Sequence, residues 1–247
     1  MPPSIPKTKA TELMDILNSI KPEEGLSEFK YTRCIRILAD IQPFSSEDQV
    51  NMFRSIVELY AGNLLKAKKI ALKNYEISND LQVLRNAVFV FQNTMALDWV
   101  VRTMGKIANI SRKLNIDFKE SLPESYELSY FLSGNLDLAH SYYESMEINT
   151  LLRDLEIIQK TLDISNESLK SILQVVHKVF INSKYRYNFL EYSYIEEEFL
   201  LTIYLFNSHE EVWQLNMEIA DQCYQAGLLD ELNKISYFFL PSEGNQA

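Results

Sequence analysis

Turn-forming residues are what this sequence has least of: its 247 residues include six glycines and seven prolines. An all-β chain needs more of both, so the shortage points to long helices with short connections. Two cysteines, Cys34 and Cys223, are too few for a disulfide framework or a CxxC-type metal site. Each falls on an apolar helical stripe, where a small buried side chain is expected. No stretch approaches the ~18 uncharged apolar residues of a membrane span, and Met1-Pro2-Pro3-Ser4-Ile5-Pro6-Lys7 lacks the apolar segment of a secretory signal. A soluble, cytoplasmic protein is the expectation.

What is present is apolar residues, 47% of the chain, repeating with helical period. After a flexible arm at 1–7, helices are expected near 8–20, with Leu13, Ile16, Leu17 and Ile20 on one face, and near 26–41. Ser45, with Asp48 three residues on, reads as the cap of the next helix, which Gly62 ends. Its partner runs from Asn63 to Ile77 with Leu64, Ala67, Ala71 and Tyr75 inward. Further helices are expected at 81–93, 97–114, 126–132, 136–146, 150–162 and 169–181, with Asn149 and Ser165-Asn166 as caps. A long loop at 115–124 divides an N-terminal helical part, 8–114, from a C-terminal one, 124–240. The segment Tyr185–Phe206 alternates at its start like a strand, but Phe189, Tyr192, Ile195, Phe199 and Ile203 keep helical spacing over a longer stretch, so helix is expected. Ser208 and Glu211 form a capping box for a last long helix. After Gly227 a short apolar helix runs to Pro241, and 241–247 is a frayed tail.

Three of the six glycines follow a small residue and precede a leucine between two helical stretches: Ala61-Gly62-Asn63-Leu64, Ser133-Gly134-Asn135-Leu136 and Ala226-Gly227-Leu228-Leu229. Glycine enters the left-handed region that ends a helix and reverses the chain. Around the second corner, Tyr130, Leu136, Ala139 and Tyr143 stand where large and small packing residues alternate, and this hairpin resembles a tetratricopeptide repeat, a motif of about 34 residues. The third corner has Ala220, Cys223, Gly227 and Leu229 in place but departs at Leu232 and Ser236. The first has Leu64, Ala67 and Ala71, with Arg54 and Glu58 out of step. The resemblance covers parts of three hairpins, and the spacing of the glycines is not a regular repeat. It implies antiparallel helix pairs stacked as a solenoid with a groove that binds peptides or protein surfaces; the same corners also suit an irregular helical bundle. Both are all-α.

Catalytic sets are missing. The three histidines are His140, His177 and His209. Asp137 precedes His140 at the spacing of one helix face, but Gln174 and Phe206 hold that place before His177 and His209, so the second half of a di-iron carboxylate site is absent. No Arg lies four to six residues before a histidine, as in some all-helical ribonucleases. There is no Gly-rich phosphate loop, GxSxG or HExxH. On a helix, Glu196-Glu197-Glu198 would spread over ~200° and could not converge on one ion. No enzyme activity, metal or cofactor is expected.

The charge is divided. Residues 51–113 carry net +6 and 114–247 net −14. Lys66, Lys69 and Lys73, with Arg102, Lys106 and Lys113, form basic stripes on the outer faces of two helices, suited to an acidic partner or to the acidic part of a second copy. Tyr187 and Tyr194 lie off the apolar stripe and are expected to be exposed for contact, whereas Phe189, Tyr192 and Phe199 are expected in the core. A protein-binding adaptor or regulator is the first expectation. An acidic, antitoxin-like inhibitor of a basic surface is the second. A DNA-binding regulator is the third: Ile110–Asp117 faintly resembles the start of a helix-turn-helix, although Pro123 interrupts the reading helix and the net charge of −10 opposes DNA.

Overall fold

The computed structural model describes residues 7–21, 24–116, 126–143, 150–195 and 198–242. The arm at 1–6, most of the 115–124 loop, Asn149, Glu196, Glu197 and the tail from 243 lie outside them, as do the side chains of His140 and Tyr143. Ten helices come first: α1 (Lys7–Asn18), α2 (Glu28–Ile41), α3 (Glu47–Tyr60), α4 (Leu64–Ile77), α5 (Leu81–Asn93), α6 (Leu97–Leu114), α7 (Tyr126–Leu132), α8 (Leu136–Tyr143), α9 (Thr150–Thr161) and α10 (Asn166–Ile181). Then follow strands β1 (Tyr187–Ile195) and β2 (Glu198–Leu205), helices α11 (His209–Gln225) and α12 (Leu229–Lys234), and strand β3 (Ile235–Pro241). The chain is therefore mostly helical, with one small sheet.

The three glycine corners share one geometry. Gly62, Gly134 and Gly227 have φ of 77°, 60° and 69°, and the following N–H donates to the carbonyl five residues back: Asn63 to Glu58, Asn135 to Tyr130 and Leu228 to Cys223, at 2.8–2.9 Å. This bond satisfies carbonyls that a helix end leaves open. Met95, Asn115 and Asp163 make the same corner without glycine, at φ of 54°, 55° and 48°. The capping box of Ser208 and Glu211 is formed, and Ser165 accepts from the Ser168 N–H at 3.0 Å. The cap of α3 falls one residue later than expected, at Ser46. Ser46 donates to Asp48, whose other oxygen accepts from Ser78 at 2.7 Å, so the carboxylate is engaged by two hydroxyls.

Two expectations for the C-terminal part are overturned. Residues 187–205 form an antiparallel hairpin, and the apolar run 235–241 is a strand parallel to β2, in the order β1-β2-β3. The cause is period-two burial. Phe199, Leu201, Ile203 and Leu205 are fully buried, and Ile235, Tyr237 and Phe239 are buried, while the residues that alternate with them are more exposed. With apolar residues on both faces, every third or fourth position was also apolar, which imitates a helix. Pairing with 235–241, far away in sequence, decides the outcome. Of the two departures from the repeat pattern, Leu232 lies within α12 and Ser236 within β3.

Two apolar clusters hold the chain together. One joins α1, α2 and α3 around Leu13, Cys34 and Leu38; the larger runs from the end of α3 to β3 around Phe91, Phe131, Phe180 and Phe239. Cys34 and Cys223 are both free and buried, and burial raises both thiol pKa values above the ordinary range. Each helix from α1 to α8 packs on its successor, and α3 also packs on α5 and α7 on α9. Helices α10 and α11 pack together, and α11 covers β3.

Candidate functional site

Polar side chains line up on three helices. Asp98, Arg102, Lys106, Asn109 and Lys113 fall along one face of α6; Lys170, Gln174 and His177 fall at i, i+4 and i+7 on α10; Lys68 and Tyr75 follow along α4, with Asn79 just beyond its end. These faces enclose a groove of about 840 Å³ whose lining includes Tyr75, Asn79, Asp98, Arg102, Lys106, Asn109, Lys113, Lys170 and Gln174, closed at one end by Ser133, Asn135 and Leu138 of the α7–α8 corner. Four cations face one carboxylate here. A second depression, about 510 Å³, lies between the first turns of α4 and the end of α10, with Lys66, Lys69 and Lys184 around Leu65 and Ile181.

Between the two depressions α4 and α10 touch through a polar contact. Lys68 Nζ lies 2.6 Å from His177 Nε2, and His177 Nδ1 lies 3.0 Å from the Thr94 carbonyl. The carbonyl can only accept, so Nδ1 carries the proton and Nε2 accepts from the ammonium. Burial, then the Lys68 charge, pushes the His177 pKa below the ordinary histidine range; burial also lowers that of Lys68, against the attraction of Asp98.

The groove cations are held in place. Lys106 donates to the Tyr75 carbonyl and lies 5.1 Å from the centre of the Tyr75 ring, and burial lowers its pKa. Arg102 lies over Trp99 at 4.9 Å, and Trp99 meets Tyr75 edge to face at 5.5 Å. Cation and ring thus restrict each other's rotamers.

The six predicted basic residues do not form one outward patch. Arg102, Lys106 and Lys113 line the groove, and Lys66 and Lys69 rim the smaller depression. Lys66 also pairs at 2.6 Å with Glu58, a fully buried carboxylate; that hydrogen bond raises the Lys66 pKa. Lys73 turns to Glu47 of α3. Tyr194 is exposed, whereas Tyr187 is half-buried against the larger core. Phe199 is buried as expected. Phe189 and Tyr192 are not, at 42% and 39% exposed, because β1 is a sheet edge whose two faces both reach solvent. Lys68, Lys170 and the amides of Asn79, Asn109 and Gln174 escaped sequence reasoning; their helical spacing on otherwise apolar helices was the available signal. Among the described residues no three or more His, Cys, Asp or Glu side chains gather where they could hold a metal ion, and no helix is long and apolar enough to cross a membrane.

No family model matches the chain, and neither a curated protein nor a solved structure matches it.

Proposed function

We propose that this chain is a non-enzymatic interaction module, built from tetratricopeptide-like helix pairs, that holds an extended acidic segment of a partner protein in the groove between α4, α6 and α10. The observation that carries this reading is the groove's lining: Arg102, Lys106, Lys113 and Lys170 against the single carboxylate Asp98. Beside them stand Asn79, Asn109 and Gln174, whose amides offer the donor and acceptor that an extended main chain needs. The stacking of alternate helices, α3 on α5 and α7 on α9, and the shared corner geometry support the repeat reading. From Asp98 to Lys113 along α6 the groove lining rises roughly 22 Å, room for about six extended residues.

A fluorescent hexapeptide of alternating Glu and Ala, titrated into the full chain, tests this. Binding should weaken at least about tenfold when Arg102→Glu and Lys106→Glu are combined, and should fall steeply with salt. Equal binding by the variant would overturn the groove as the site. Retention of duplex DNA that the same reversal abolishes would instead make the chain a DNA-binding regulator. A second reading, an acidic inhibitor covering a basic surface, is favoured by the charge of residues 187–233, which include ten Asp or Glu and no Lys or Arg.

A further inference from the structure

The two edges of the sheet are treated differently. At the β3 edge, Asn216 of α11 acts as a surrogate strand: its Nδ2 donates to the Phe239 carbonyl at 2.8 Å and its Oδ1 accepts from the Phe239 N–H at 2.9 Å. Among the described residues the β1 edge has no such cover: from Asn188 to Ile195 no main-chain group bonds to its outward side. Open edges are commonly blunted by lysine, proline or bulges. β1 contains neither lysine nor proline, and its one register irregularity, between Tyr187 and Phe189, lies at the end of the strand.

The side chains flanking this edge suit an added strand. By register, Phe189, Glu191 and Ile195 share one face with Tyr204, Thr202 and Glu198 of β2, and Tyr192 and Tyr194 lie on the other. Phe189, Tyr192, Tyr194 and Ile195 are all exposed. Phe189 stacks on Tyr204 at 4.3 Å and Tyr192 on Phe199 at 5.5 Å, so the rings are already fixed. Glu191 and Glu198 are exposed carboxylates on the first face, within a 187–233 stretch free of Lys and Arg.

We propose that β1 takes up an extended, lysine- or arginine-bearing segment of a partner protein as a fourth strand. Main-chain bonds supply affinity, and alternate side chains meet the aromatic rows and the carboxylates. A second copy is the poorer occupant, since pairing β1 with itself brings like-charged carboxylates together. This surface is separate from the basic groove and has the opposite charge preference, so either stands if the other fails.

The probe is a labelled peptide of about eight residues, a typical strand length, alternating Lys and Val, titrated into the full chain by fluorescence anisotropy. Hydrogen exchange should slow within Tyr187–Ile195 on binding, while β3 is unchanged. An alternating Glu-Val peptide, and the Glu191→Lys/Glu198→Lys variant with the original probe, should each bind at least about tenfold more weakly. A Lys-Val peptide methylated on alternate backbone nitrogens keeps its charge but loses strand donors, and it too should fail against the unaltered protein. Equal binding by the methylated peptide, protection elsewhere than β1, no binding near 1 mM probe, or protection of β1 by self-association alone would each overturn the proposal.

Discussion

Lys68 and His177, far apart in sequence, meet at 2.6 Å between the two depressions of the helical surface, with the ammonium donating to an imidazole that is itself tied to the Thr94 carbonyl. Few arrangements hold a histidine neutral more firmly, since both burial and the neighbouring cation oppose a second proton. The contact also separates the groove of Arg102 and Lys106 from the depression of Lys66 and Lys69.

The pH dependence follows from that depressed pKa. In the acid window below the ordinary histidine value the unfolded chain binds a proton at His177 that the folded chain resists. The stability contribution is therefore complete above that value and is lost as pH falls through the histidine range. Lys68, also depressed, has the same sign at alkaline pH: stability increases as pH rises toward the usual lysine value. Urea titrations of His177→Gln at a series of pH values should show a flatter acid limb than the parent chain. An identical slope would mean that His177 is not the titrating group.

Glu58 is fully buried at the end of α3, where Tyr31 of α2 donates at 3.1 Å, Asn63 of the glycine corner at 2.8 Å and Lys66 of α4 at 2.6 Å. One carboxylate thus joins three helices and a corner. Glu58→Ala removes the acceptor for all three and should cost about 3 kcal/mol in chemical denaturation. Lys66→Ala, which removes a mostly exposed partner, should cost about 1 kcal/mol. A smaller loss for Glu58→Ala than for Lys66→Ala would contradict the network.

The corners separate backbone strain from crowding. A Cβ at Gly62 meets nothing within 4 Å, so Gly62→Ala bears only its positive φ and should cost about 1 kcal/mol. At Gly134 a Cβ would lie 2.4 Å from the Asn166 carbonyl oxygen, and Gly134→Ala should cost roughly 3 kcal/mol or more. Exposed Asp163 holds φ at 48°, so Asp163→Gly should be neutral or stabilising by about 0.5 kcal/mol. Thermal midpoints should rank Asp163→Gly highest, Gly62→Ala next and Gly134→Ala lowest.

Those corners also explain how much was legible in advance. Glycine announces a left-handed residue, so the reversals at 62, 134 and 227 were readable. Met95, Asn115 and Asp163 take the same conformation, and nothing local in their residue types required it. Helices were readable because one face recurs within each segment: Leu64, Ala67 and Ala71 are buried as their spacing implied. The sheet was not. β2 is buried on one side and half-covered on the other, and its parallel partner begins at Ile235, after two intervening helices. The groove was legible only in pieces, since Arg102 and Lys106 stood out by charge while Lys170 and Gln174 meet them through tertiary packing.

Asn216 offers the sharpest test of how the sheet ends. Its amide makes both of its bonds to one residue, so the Phe239 N–H and carbonyl depend on it for partners on that side. Asn216→Ala leaves both groups to compete for water against the cover of α11 and should cost about 2 kcal/mol. Asn216→Asp keeps the acceptor but sets a carboxylate oxygen against the Phe239 carbonyl, so it should restore little of that loss near neutral pH. Hydrogen exchange at the Phe239 amide is the decisive reading. It should accelerate strongly in the Ala variant and only weakly in the Asp variant, which retains that one bond. Equal protection in both variants and the parent would show that helix cover, not the side-chain amide, closes this edge.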